Sequence, residues 1–547
     1  MNDFLNDLKQ FSLYDLKRFI PNEIVKYIDD SVSMDNLYNY YNTNIESLFR
    51  NIEFINCLKK YKNNDIEYNL IYNELNNKSI EYCQKRFLKL YGFNKTEKAE
   101  KRLDYCQNLL SKQFYELLDY QFLIKENVVK FIDKQTEQNH YVSKLIIHMP
   151  TGTGKTKTTN HLISTLYIKN KNNGSIVWLA HTEELLDQAY KTFTNVWSVL
   201  GNDSVRIMYN EVDSIFTDKT IYFLTYQKLI SMLKNDLPLY NSLRDNMYLC
   251  VCDEAHKCLA TETKQAVEKL MLLFDPTKTK ILIGLTATPG RKFNDSFLDG
   301  ENNELAIMFD KHIFSIEVNA LAIFDKMEES NIFKEKYDNT YKKDDQIIKY
   351  FQDKGILAKI KREPLKYNLK DSKVIFDKFF AKSKKKDFSS KELMEIGETV
   401  SRNFVIVNKL IELDKKNIPT IFFACSNEQG KIISDILSIK GIKNFAVFGD
   451  TATDIRKQII KDFNSGKFDI LINNMILTTG FDSPRIKCVL ISRPTNSIVL
   501  YSQMIGRGLR GPKMGGNEEC LLIDVIDNIT SFPNENEAFN YFSEYWR

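Results

Sequence analysis

Short apolar runs alternate with segments of helical spacing along two stretches of the chain. From about 116 to 300 the runs are "KLIIHM", "SIVWLAH", "IYFLTY", "MYLCVCDE" and "KILIGLTAT". After about 400 they are "TIFFACS", "NFAVFGD", "FDILINNM", "IKCVLISRP" and "ECLLIDVI". Continuous apolar strands separated by helices predict parallel sheets covered on both faces. The pattern therefore predicts an α/β protein with two such domains, 116–300 and 401–547. Residues 301–400 are mixed and read as a partly helical connecting region.

Residues 1–115 read as helical. In "SLYDLKRF", Ser12 is followed three positions on by Asp15, a capping signal, and Leu13, Leu16, Phe19 and Ile20 recur at helical spacing. Pro21 then breaks the run. The stretch "NLYNYYNTNIESLF" is crowded with aromatic rings. Stacking on nucleic-acid bases is one use for them, and packing into the core of an amphipathic helix is the commoner one. The lysine run in "AKSKKKDFSS" predicts an exposed tip, either solvated or touching phosphates.

Composition narrows the class. A chain of 547 residues is too long for one ordinary core, and 43% hydrophobic with 27% charged residues is a globular balance. No apolar run approaches the roughly 20 residues needed to cross a bilayer, and "MNDFLNDLKQ" lacks the layout of a secretion signal. A cytoplasmic protein with no membrane partner is the expectation. The nine cysteines form no CxxC pair, which argues for reduced thiols rather than disulfides or zinc. A net charge of +4 excludes a polycation and leaves room for a local basic groove.

The candidate chemistry begins at "HMPTGTGKTKTT", residues 148–159, which follows a strand and opens a helix. After Thr151, the backbone N–H groups of Gly152, Thr153 and Gly154 are suited to cradle phosphate oxygens at a helix N-terminus. Lys155 would supply a cation to the β/γ phosphates and Thr156 a hydroxyl to Mg²⁺. About a hundred residues on, "VCDEAH" ends a second buried strand. Parallel sheets bind ligands at strand carboxyl ends, so Asp253 suits the Mg²⁺ shell and Glu254 the base that takes a proton from an attacking water. In "QMIGRGLRG", Arg507 and Arg510 lie three apart, as on one helical face, and would neutralise charge in phosphoryl transfer.

The ordered series "MPTGTGKT", "WLAHTEELLDQ", "LTYQKL", "CDEAH", "LTATPGR", "TTGFDSP" and "QMIGRGLR" closely resembles that of superfamily 2 helicases of the DEAD/DEAH-box-like kind, over about residues 116–530. "AHTEELLDQA", "TATPGR" and "RPTNSIVLYSQMIGRGLR" look like the branch of restriction-enzyme motor subunits (ResIII-like) and RadD-like DNA translocases. The resemblance implies two tandem RecA-like domains, ATP and Mg²⁺ between them, and a nucleic-acid strand across both, DNA favoured over RNA. It implies a helicase or translocase serving restriction, anti-phage defence or repair. An RNA helicase is one alternative. Another is a nucleic-acid-sensing subunit that meets protein partners, a nuclease among them, through residues 1–115.

Carried over by motif, Gln121 in "LLDYQ" corresponds to the adenine-reading glutamine, although Leu118 and Asp119 stand where the family has Arg and Pro. Gly480 and Asp482 match the motif touching nucleotide and strand, and Gln503 opens the arginine motif. His181, Thr225, His256, Thr286, Thr288, Thr478 and Thr479 fall where the family grips the strand or couples hydrolysis to it. Such backbone grips carry little sequence information.

Overall fold

The computed structural model describes the chain except residues 1, 29–31, 50, 63–64, 76–77, 92–104, 107–115, 171–173, 214–218, 276, 291–299, 317–346, 368–386, 479, 482, 496 and 526–547. Thr479, Asp482 and most of the "AKSKKKDFSS" run thus lie outside the described residues.

The first sheet contains β1 (Tyr105–Cys106), β2 (Val142–His148), β3 (Ser175–Ala180), β4 (Val205–Tyr209), β5 (Thr220–Thr225), β6 (Met247–Asp253), β7 (Lys280–Thr286) and β8 (Ile313–Ser315). Their order is β1-β4-β5-β3-β6-β7-β2-β8, parallel throughout apart from the antiparallel edge pair β1–β4. The second comprises β9 (Lys359–Leu365), β10 (Thr420–Phe423), β11 (Asn444–Val447), β12 (Ile470–Asn473), β13 (Cys488–Ile491) and β14 (Glu519–Val525), ordered β11-β12-β10-β13-β14-β9 and all parallel. Every residue of β3, β5, β6, β7, β10, β12 and β13 is buried. Helices on both faces require this, and it explains why these strands read as unbroken apolar runs. The two sheets are the tandem RecA-like cores. The region 301–400 lends a strand to each of them, β8 and β9.

The N-terminal helical pattern runs to Leu90, and Tyr105–Cys106 instead form β1. The Ser12 hydroxyl accepts the Asp15 N–H at 3.1 Å, so that cap forms as its spacing suggests. Tyr40 and Tyr41 are buried, and the Tyr41 hydroxyl donates to Leu16 O at 2.6 Å, so the aromatic stretch packs rather than stacking on bases. This helical region docks on the second domain, although in the sequence it precedes the first. One apolar core joins Phe4, Leu37, Tyr40 and Phe54 to Ile406, Leu410, Ile433 and Ile436.

Among the described residues no helix is long and apolar enough to cross a membrane, and no His/Cys/Asp/Glu cluster could hold a metal ion by itself. Cys57, Cys83, Cys250, Cys252, Cys258, Cys425, Cys488 and Cys520 are free thiols.

Candidate nucleotide site between the two sheets

Strand register brings the first wall together. His148 pairs with Thr286 and Asp253 with Leu285, so β2, β7 and β6 end at one level. The loop after β2 is pinned by Met149 N–H donating to Thr286 O at 3.1 Å. It then turns through Gly152 and Gly154 at φ +86° and +83°, backbone that glycine adopts freely, and the helix Lys155–Lys169 begins. Thr151, Gly152, Gly154, Lys155 and Thr156 line a cavity of about 650 Å³.

Thr153 does not line it. Its N–H donates to Pro150 O at 3.4 Å, its hydroxyl to the same oxygen at 2.7 Å, and its side chain is buried. Thr153 therefore closes the loop on itself instead of offering its N–H inward, the stronger demand being a partner for each buried polar group. Its carbonyl accepts the Tyr120 hydroxyl at 2.7 Å and Gln121 Nε2 at 2.9 Å, while Gln121 Oε1 accepts Leu118 N–H at 3.0 Å. Gln121 is 1% exposed, so it borders the cavity with both ends of its amide already engaged.

Lys155 Nζ donates to Met149 O at 3.2 Å, and burial holds its pKa below the ordinary value while Glu254 and Asp253 oppose the shift. Asp253 is pushed up to about 7 by burial and by the adjacent Glu254, with Lys155 pulling it down. Glu254 has φ +52°, left-handed backbone that a side chain resists, and its N–H donates to Asp253 Oδ1 at 3.0 Å. His256 Nδ1 lies 3.5 Å from Glu254 Oε2.

The second wall comes from the other sheet. Gly480, Arg507 and Arg510 line the same cavity as Lys155 and Glu254. The two arginines do not share a helical face, because the helix ends at Ile505. A Cβ on Gly506 would sit 2.8 Å from Thr151 Cγ2, and one on Gly508 2.3 Å from Cys520 Sγ, so the chain passes too close to its neighbours there for any side chain. Arg507 reaches the cavity from a turn, bonded to Gln503 O at 3.3 Å and to Phe481 O. Arg510 reaches it from a bridge to Leu357.

The strand-gripping candidates stand apart from the cavity lining. Thr225 caps the helix Tyr226–Asn235, accepting Lys228 N–H at 3.1 Å. Thr286 donates to Thr288 O at 2.7 Å, and Thr478 to Met475 O at 2.6 Å. Thr288 and Gln503 are buried. His181 is held down to about 4, first by burial and then by Lys257. Sequence reasoning missed Tyr120, whose hydroxyl holds the loop, and Lys513 and Met514, which line the cavity. It also missed the role of Gln188, whose Nε2 donates to Gly480 O at 2.9 Å across the cleft. Gln188 stood four residues after Glu184 in a quoted motif, which places both on one helical face. Nothing in the sequence marks Lys513 or Met514.

A glycine-rich turn into a helix with the acidic pair of buried Asp253 and half-buried Glu254 on one α/β domain, facing arginines delivered by a second, is the layout of two-domain P-loop proteins. Residues 114–291 match the family model described as "Type III restriction enzyme, res subunit", and residues 403–511 match "Helicase conserved C-terminal domain". The chain thus carries, in tandem and in this order, the two segments that superfamily 2 helicases share, the first of the ResIII-like kind. It is similar to the mitochondrial ATP-dependent helicase irc3 of Schizosaccharomyces pombe, 27% identical over 71% of this chain and 54% of that one. It is also similar to the ATP-dependent helicase IRC3 of Saccharomyces cerevisiae, 26% identical over 70% of this chain and 48% of that one. The chain thus spans about half the length of these curated relatives. The solved ATP-dependent Type ISP restriction-modification enzyme LlaBIII bound to DNA overlaps 80% of this chain and 29% of its own, at 16% identity and TM-score 0.49.

Proposed function

We propose that the protein is an ATP-driven DNA motor that couples hydrolysis to movement along, or remodelling of, the strand. One observation carries the reading: Lys155, Thr156, Asp253 and Glu254 from one sheet and Arg507 and Arg510 from the other line a single cavity. The residues suit Mg²⁺-ATP. Burial first, and then the neighbouring Glu254, raises Asp253 to about 7, and a divalent cation at this place favours the carboxylate form. Thr156 and Asp253 would hold the ion, which neutralises phosphate charge when bound.

Lys155 would leave Met149 O for the β/γ phosphates. Glu254 would take the proton of the attacking water, with His256 at its side. Arg507 and Arg510 would meet the charge that develops on the transferred phosphoryl group. Closed domains bind a bridging nucleotide better than open ones, and hydrolysis removes the bridge, so grips on the strand alternate. The units proposed are 1–115, 116–300, 301–400 and 401–547.

The restriction-enzyme description of the first matched segment supports DNA as the strand, because restriction enzymes act on DNA. The test is ATPase stimulation by single-stranded DNA, duplex DNA and RNA; stimulation by RNA alone would overturn the reading in favour of an RNA helicase. A second reading is a motor or sensor subunit that meets a protein partner through the N-terminal helices, on which Tyr14, Ile66 and Leu70 are exposed. Efficient unwinding by the isolated chain counts against it.

A further inference from the structure

Two helix N-termini, one from each domain, meet through paired charges across the cleft. The helix Glu183–Leu200 of the first domain begins with Glu184 and Asp187, and the helix Thr453–Asn464 of the second carries Arg456 and Lys457 early in its length. Both helix ends bear partial positive charge, so cations near the start of the second are disfavoured unless a carboxylate meets them. Here carboxylates do. Arg456 Nη1 pairs with Glu184, with side chains only 11% and 20% exposed, and Lys457 Nζ lies 3.0 Å from Asp187 Oδ2. Arg456 Nη2 also donates to Thr451 O at 3.1 Å, which fixes its direction.

The same helical face then reaches the cavity. Gln188 Nε2 donates to Gly480 O at 2.9 Å, and Gly480, at φ +68°, comes so near that a Cβ there would sit 3.1 Å from Glu184 Cβ. Gly480 lines the cavity, and the next carbonyl along, Phe481 O, accepts from Arg507. Four consecutive contacts therefore run from a charge pair to the arginine.

We propose that Glu184–Arg456, Asp187–Lys457 and Gln188 on Gly480 form an interdomain clamp that closes the two halves and aims Arg507 at the nucleotide. These are positioning residues. Arg456 and Lys457 are spent on carboxylates and are not strand-binding cations. The proposal rests on the nucleotide reading above.

The experiment measures KM and kcat for ATP, strand affinity and nucleotide-free small-angle scattering on full-length variants. E184Q and R456Q should each lower kcat about tenfold with a smaller rise in KM, and the double variant should be no worse than either single. K457D and D187K should each do likewise to a lesser degree, and the combined swap should restore kcat. Strand affinity at saturating non-hydrolysable ATP should stay within about twofold. K457D should expand the scattering envelope and the swap should compact it, a readout that holds even if no nucleic acid stimulates hydrolysis, the result that sinks the motor reading by itself. Additive single effects, an unrestored swap, or lost strand affinity at unchanged kcat would overturn the clamp.

Discussion

The two walls of the cavity are held by different means. The first is built on strand ends that are buried in β2, β6 and β7 alike and tied within its own domain, by Met149 N–H on Thr286 O and the Tyr120 hydroxyl on Thr153 O. The second lies beyond the end of a helix and is tied to a distant segment of the chain. Ala358 N–H donates to Leu509 O at 2.8 Å, and Gly511 N–H to Ile356 O at 2.9 Å. Its arginines meet the first wall only because the domains are closed. The first wall should therefore govern nucleotide binding, and the second should act on turnover.

The largest effect tests that division directly. Lys155→Ala should lose ATP binding in equilibrium titration, whereas Arg507→Ala should bind ATP within a few-fold and lose about 10³-fold in kcat. Equal loss of binding in both variants would erase the distinction. Next, Glu254→Gln should keep ATP bound and cut turnover by roughly 10²–10⁴-fold in single-turnover assays, since only proton removal is taken away. Undiminished hydrolysis would remove Glu254 from that role.

A smaller effect probes the loop itself. A Cβ on Gly154 would sit 2.4 Å from Gln121 Nε2, on backbone at φ +83°. Gly154→Ala should cost about 1–3 kcal/mol in chemical denaturation, and the side-chain clash, though not the backbone strain, should ease in a Gln121→Ala background. The smallest effect is protonic. Burial, with Lys155 adding to it, holds His148 down to about 3. A histidine kept neutral by folding contributes stability that is fully present above its unfolded value near 6.5 and is lost as pH falls from there toward 3. The slope is up to about 1.4 kcal/mol per pH unit, less any relaxation of the site. Urea midpoints at pH 7 and 5 should converge in His148→Gln; an unchanged slope would mean that other groups carry it.

The two regions also differ in how far a reader of the sequence could see them. β6 and β7 read as strands because burial on both faces demands unbroken apolar residues, and the loop from Thr151 to Thr156 reads as a phosphate cradle because few other sequences turn so tightly into a helix. The edge strands β1, β8 and β9 were not legible. β8 and β9 are only half-buried or exposed along their length, so no apolar run announces them. The arginine spacing suggested a helix and was misleading, since the close approaches at Gly506 and Gly508 depend on Thr151 and Cys520, far away in the chain.

What the residues decided alone was local: periodicity, the helix caps, the glycines that permit a left-handed turn, and the acidic pair at a strand end. These depend on neighbours a few positions away, and any fold containing them would show them. Which bodies share a core was decided elsewhere. The helices of 1–90 have apolar faces that any complementary surface would satisfy, and only the folded molecule seats them on Ile406, Leu410 and Ile433. The meeting of Lys155 with Arg507 is of the same kind, because it depends on long-range closure whose contacts are hundreds of residues apart and leave no periodic trace.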